Sequence, residues 1–87
     1  MKLKPLSSES ACGVGTGNGS NFSSSTCVRV HNSGTTNRLV TVETSANVTV
    51  GTFTLGGGKT ELIQKDPSDE VFAANAEVLA VGVAITT

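Results

Sequence analysis

The sequence predicts an all-β fold: a small antiparallel β-sandwich, Ig-like or related, of six to seven short strands behind a Gly/Ser-rich N-terminal arm. Composition is the first reason. The 87 residues hold 10 Gly, 10 Ser, 12 Thr and 11 Val against 3 Phe and no Trp or Tyr, which suits strands and turns rather than helices. Spacing is the second, because short alternating apolar runs recur about every 10 residues with turn chemistry between them. The third is the lack of any stretch long enough for a crossover helix, so a parallel sheet is not expected.

Residues 1–25 form the arm and residues 26–87 the sandwich domain. Within residues 7–25, Gly13, Gly15, Gly17 and Gly19 occupy every second position, Ser20 and Ser23 to Ser25 follow, and Val14 and Phe22 are the large apolar residues. Such a segment cannot bury enough surface to fold as a separate unit. It is expected to be ordered by neighbouring subunits, with Lys2 and Lys4 meeting acidic or carbonyl groups there, and residues 3–6 could add a strand.

From Cys27 the pattern is strand and turn. Val28 and Val30 alternate with Cys27, Arg29 and His31, and residues 32–37 are turn chemistry. Residues 39–44 make a second strand with Val40 and Val42 on one face, and residues 48–55 a third. The alternation slips in the third, and a bulge at Gly51 would put Val48, Val50, Phe53 and Leu55 on one side. Gly56-Gly57-Gly58 reads as a hairpin tip before a strand around Leu62 and Ile63. Residues 66–70 read as a break capping one helical turn at Val71-Phe72-Ala73. In the last strand, residues 77–86, Leu79, Val81, Val83 and Ile85 are expected to face the core together with Val28, Val30, Val40, Val42, Phe53, Leu55 and Leu62. The opposite parity includes Ala80, Gly82 and Ala84, small and uncharged. It reads either as a strand face buried within the sandwich or as a smooth patch seating against another protein. Lys2, Lys4, Ala80, Gly82 and Ala84 are therefore the candidate partner interface.

Charge narrows the partners. Six Lys+Arg against seven Asp+Glu give a net charge of −1, which removes the electrostatic case for nucleic acid. The longest apolar stretch, residues 78–85, is far short of the ~20 that span a bilayer, so no membrane is expected. Residues 1–5 carry the charge of a signal n-region with no apolar h-region after it, which predicts a chain made and used without Sec export. Cys12 and Cys27 permit one bridge at most, and a reducing compartment argues against it.

The chemical motifs dissolve on inspection. Gly56-Gly57-Gly58-Lys59-Thr60 lacks the upstream Gly of a phosphate loop, where Phe53 stands, and the helix that should follow. The glycine run 13–19 has the wrong spacing for a dinucleotide fingerprint. His31 is the single histidine, so neither a metal cluster nor a convincing Cys–His pair emerges. Asp66, Asp69 and Glu70 lack the alternating ligand spacing of a calcium loop and read as turn and cap residues. No catalytic, cofactor or metal residues are assigned, and an enzyme is not expected.

Several stretches carry a resemblance. Cys27-Val28-Arg29-Val30-His31-Asn32 with Arg38-Leu39-Val40-Thr41-Val42 resembles small β-sandwich virion proteins of tailed, in particular marine, bacteriophages. So do Gly51-Thr52-Phe53-Thr54-Leu55-Gly56-Gly57-Gly58, Leu62-Ile63-Gln64-Lys65-Asp66-Pro67-Ser68-Asp69 and the closing strand, over about residues 26–86. The resemblance implies a structural role on the virion, which is assembled in the host cytoplasm. The role is capsid decoration or cementing, with the major capsid protein or another virion protein and copies of itself as partners. It implies no cofactor and no enzymatic site. The competing expectation is a tail or fibre appendage or adhesion module recognising a host surface, which the aromatic-poor composition disfavours.

Overall fold

The structure is a computed structural model that describes residues 2–86. Nine strands run β1 (Lys2–Pro5), β2 (Ser10–Ala11), β3 (Gly13–Val14), β4 (Cys27–Asn32), β5 (Arg38–Glu43), β6 (Thr49–Leu55), β7 (Thr60–Gln64), β8 (Glu70–Ala73) and β9 (Val78–Thr86). They form two sheets, in orders β1-β9-β4-β7 and β3-β8-β5-β6, with β2 also pairing β9. The all-β antiparallel sandwich is as the sequence predicts. The pair β3–β8 is the exception, running parallel over two residues.

The order has a simple logic. β5 pairs β6, β4 pairs β7, β3 pairs β8, and β1 and β2 pair β9, so each pair encloses the one before. A long ribbon of nested pairs, rolled until β9 also meets β4 and β8 also meets β5, is the jelly-roll arrangement of two facing sheets. Within the sandwich class, this order rather than the Ig order describes the chain.

Val28 and Val30 of β4, Val40 of β5, Leu55 of β6, and Val71 and Ala73 of β8 fill the space between the sheets. All are essentially fully buried. Val42, Phe53 and Ile63 pack against them partly buried. Residues 71–73 are a strand, not a helical turn: Val71 and Ala73 alternate inward, and pairing with β5 on one side satisfies the backbone. Pro67 sits second in the turn that precedes it, where Asp69 N–H donates to Asp66 O at 3.0 Å.

The Gly56–Lys59 turn forms as expected, with Lys59 N–H donating to Gly56 O at 3.0 Å and Gly58 at φ 74°. It is no hairpin tip, because β6 and β7 lie in different sheets and the turn carries the chain across. Gly57 is required by contact: a Cβ there would lie 2.6 Å from the Thr35 carbonyl. The bulge also forms, since Val42 pairs Gly51 while Glu43 pairs Thr49. It does not rescue Val48, in the turn before β6, or Val50 within the strand, which remain 61% and 60% exposed.

The segment expected to lean on neighbours packs on its own chain. β1 and β2 hydrogen-bond β9, β3 bonds β8, and Ser20 bridges Val71. Cys12 and Phe22 join the core at 2% and 7% exposure. Phe22, Ser23 and Ser24 all take left-handed φ values, 47°, 64° and 53°, which L-residues adopt at a cost. Burial of Phe22 offsets it, helped by Phe22 N–H donating to Ser20 Oγ (3.0 Å) and Ser24 N–H to Asn21 Oδ1 (3.1 Å).

Candidate interaction surface

Register decides which face of β9 is which. Val28 pairs Gly82 and Val30 pairs Ala80, so Val78, Ala80 and Gly82 point inward with the β4 valines. Ala80 and Val78 are fully buried, and Gly82 is buried as well. These positions are small because the chain between Phe22 and Ser25 crosses beneath them: a Cβ on Gly82 would overlap the Phe22 carbonyl oxygen and lie 2.7 Å from Ser25 Oγ. Ala80 and Gly82 are therefore core, not partner surface.

The parity expected to be core faces outward on the same sheet. Leu79 is half-buried and Ile85 is 38% exposed, yet Val81 and Val83 are buried at 4% and 3%. Val81 is sheltered from both sides. Its register partner Arg29 donates from Nη1 to Glu9 Oε2 at 2.8 Å, and Glu9 directly precedes Ser10, the partner of Ala80. The ion pair therefore closes over the valine. On β7 it is Ile63, the partner of Val28, that turns inward, whereas Leu62 pairs Arg29 on the outer face and is 38% exposed.

The other candidates gather at the end of β9. β4 pairs β9 only as far as Gly82, and residues 83–86 have β1 as their strand partner, so β1 and this end of β9 form a two-stranded ribbon continuing beyond β4. Lys2 pairs Thr86 and Lys4 pairs Ala84, which places Lys2, Lys4 and half-buried Ala84 on one face. Leu3 pairs Ile85 on the other face, both 38% exposed, and Leu6 just beyond is 42% exposed. The apolar side of this ribbon is missed by sequence reasoning, because Leu3 and Ile85 are 82 positions apart.

Elsewhere the chemistry is structural. Cys12 and Cys27 are free thiols, and burial pushes Cys12 up to about 11, so it stays protonated at neutral pH. His31 Nδ1 lies 2.7 Å from Thr60 Oγ1 on the neighbouring strand. A cleft of about 580 Å³ opens between the free edges of β6 and β7, lined by Val42, Val50, Phe53, Ile63, Lys65 and Asp69 among others. Lys65 is committed to the fold there, its ammonium donating to the carbonyls of Ser25 (2.7 Å), Asp66 (3.2 Å) and Pro67 (3.4 Å). Desolvation lowers its pKa, and Asp69 and Asp66 pull it part of the way back. No cluster of three or more His, Cys, Asp or Glu side chains occurs among the described residues.

No protein-family model, curated protein or solved structure matches this chain.

Proposed function

We propose that the chain is a non-enzymatic structural protein of a bacteriophage virion, decorating or cementing the capsid lattice through protein–protein contacts. The observation that carries this reading is the β1–β9 ribbon. A two-stranded ribbon standing alone is marginal in water, and this one presents Leu3, Leu6 and Ile85 to solvent beside Lys2 and Lys4. Such an element gains most when a neighbouring protein covers it. Jelly rolls serve as viral capsid and lectin domains alike, so the fold supports the proposal only by analogy. The absence of Trp and Tyr weakens the lectin side of that analogy.

Binding of this kind is multivalent. A standard interface takes about 800 Å² per partner, a sizeable fraction of the 4682 Å² this chain exposes. Without Trp or Tyr anchors each contact is weak, and repetition over a lattice raises the effective concentration of every copy. Particles of the virus encoding this chain are expected to contain it in simple proportion to the major capsid protein, as quantitative mass spectrometry would show. A handful of copies per particle would favour an appendage, and absence from particles would end the proposal. The double variant Lys2→Glu/Lys4→Glu should bind particles several-fold more weakly while melting within about 2 °C of the parent, since both side chains are exposed.

A further inference from the structure

Glu43 lies at the end of β5, on the face of its sheet that points away from the core valines, and it is nonetheless 0% exposed. The glycine-rich loop 15–19 covers it. Gly15 and Gly17 take φ of +87°, and a Cβ on Gly17 would lie 4.0 Å from Asn47 Nδ2. At the far end, a Cβ on Gly19 would lie 3.1 Å from the Glu70 Cβ. The loop thus reaches from Asn47, over Glu43, to Glu70. Strand pairings of β3 and Ser20 with β8 hold its two ends.

The carboxylate under this cover is poorly satisfied. Gly17 N–H donates to Oε1 at 3.2 Å, while Oε2 is buried without a partner. Two carboxylate oxygens have capacity for about four donors, so most of the hydration lost on burial is not replaced. No cation among the described residues makes up the difference. Among the described residues, the ion pairs are Arg29 with Glu9 and Arg38 with Glu77, and the Lys65 ammonium is committed to main-chain carbonyls. A second carboxylate adds to the imbalance: Glu70 is the register partner of Glu43 across β8 and β5, on the same face. Directly opposed residues in an antiparallel pair hold their Cβ atoms about 5 Å apart, and like charges there repel. A buried orphan oxygen marks a water or an ion, and a second negative charge beside it selects the ion.

We propose that Glu43 and Glu70, beneath the loop 15–19, bind a hard divalent cation, calcium by preference. Oxygen-only donors suit calcium, magnesium or manganese over softer metals. With two carboxylates, the shell must be completed by loop main-chain carbonyls and water, and calcium tolerates such an irregular six-to-eight-oxygen shell better than magnesium does. Half-buried Glu70 gives the ion its route in. The two ligands come from strands 27 positions apart, so no loop motif announces them. The site stands independently of the virion reading.

The test is thermal melting of the full chain in EDTA, in calcium chloride and in magnesium chloride, with isothermal titration of the EDTA-stripped protein by calcium chloride. Calcium at a hundred times its Kd is expected to raise Tm by roughly 10 °C or more, with one ion bound per chain and a smaller shift from magnesium. Glu43→Gln and, should that variant fold poorly, Glu70→Gln are expected to lose most of the shift. Glu61→Gln, at an exposed position of β7, should keep it. The same Tm in EDTA and in either salt overturns the proposal, as does a full calcium shift retained by the two site variants.

Discussion

Gly82→Val is expected to leave no cooperatively folded protein at 25 °C. The added side chain must enter the space held by the Phe22 carbonyl and Ser25 Oγ, both on a segment already fixed by Phe22 in the core. Neither neighbour can yield cheaply, because a carbonyl is backbone and three left-handed residues lock its position. Overpacking of this kind usually costs 1–3 kcal/mol. A direct backbone clash exceeds that range, and a domain of this size has only about 5–10 kcal/mol in total to lose. Circular dichroism melting checks it. A parent-like transition for Gly82→Val would mean that the inward face of β9 is open, and that Ala80 and Gly82 return to consideration as surface.

Asn32→Leu is expected to cost about 3 kcal/mol or more, read as a shift in the denaturation midpoint at unchanged m-value. Asn32 is fully buried at the end of β4, and its amide ties the β4–β5 turn to the end of β6. Nδ2 donates to Thr36 O at 2.8 Å and to Leu55 O at 3.0 Å, while Oδ1 accepts from Gly34 N–H at 3.0 Å. Leucine fills similar volume but answers none of these groups, so main-chain groups of the 34–36 turn and the buried Leu55 carbonyl of β6 lose their partners at once. Asn32→Asp separates the two contributions. It preserves the acceptor for Gly34 while removing the two donors, and it adds a buried charge, so it should be no better tolerated than leucine. A loss under 1 kcal/mol for either variant would show that water can enter and replace the amide.

The strands in 27–64 and the final strand were legible because polar and apolar residues alternate there, or because turn residues bracket them. What failed was the assignment of faces where alternation carries no contrast. Every residue from Val78 to Ile85 is apolar or small, so periodicity could not tell Ala80 from Val81. The deciding object, the chain from Phe22 to Ser25, comes from 57 positions earlier. Leu62 and Ile63 are adjacent and equally apolar, and only pairing with β4 chooses between them. The turn at Gly56–Lys59 was legible as a turn, yet which sheet receives the next strand is decided by long-range pairing and leaves no local mark. Composition misled in residues 7–25, where glycine and serine suggest an arm that needs neighbours to order it, whereas Cys12 and Phe22 anchor the segment in the core and short pairings with β8 and β9 hold it. Glu43 was invisible for a related reason: nothing in a Thr-Val-Glu-Thr sequence reveals that a distant loop will cover the charge.

The nesting of strand pairs sets the order in which this protein can be assembled in time. β5 and β6 are joined by a tight turn, with Thr44 N–H donating to Val48 O at 2.8 Å, and they can meet at small entropic expense. Each enclosing pair must wait for the one inside it to bring its strands close, so β4–β7 follows, then β8 with the loop segment, and β1–β9 closes last. Chain ends that join last are also the first to open. Amide exchange is therefore expected to be fastest in β1 and in residues 83–86 and slowest at Val40 and Val42. Equal protection of β1 and β5 would contradict this zipper. A terminal strand that opens without unfolding the rest leaves an edge of β9 unpaired, the kind of edge that strand exchange requires.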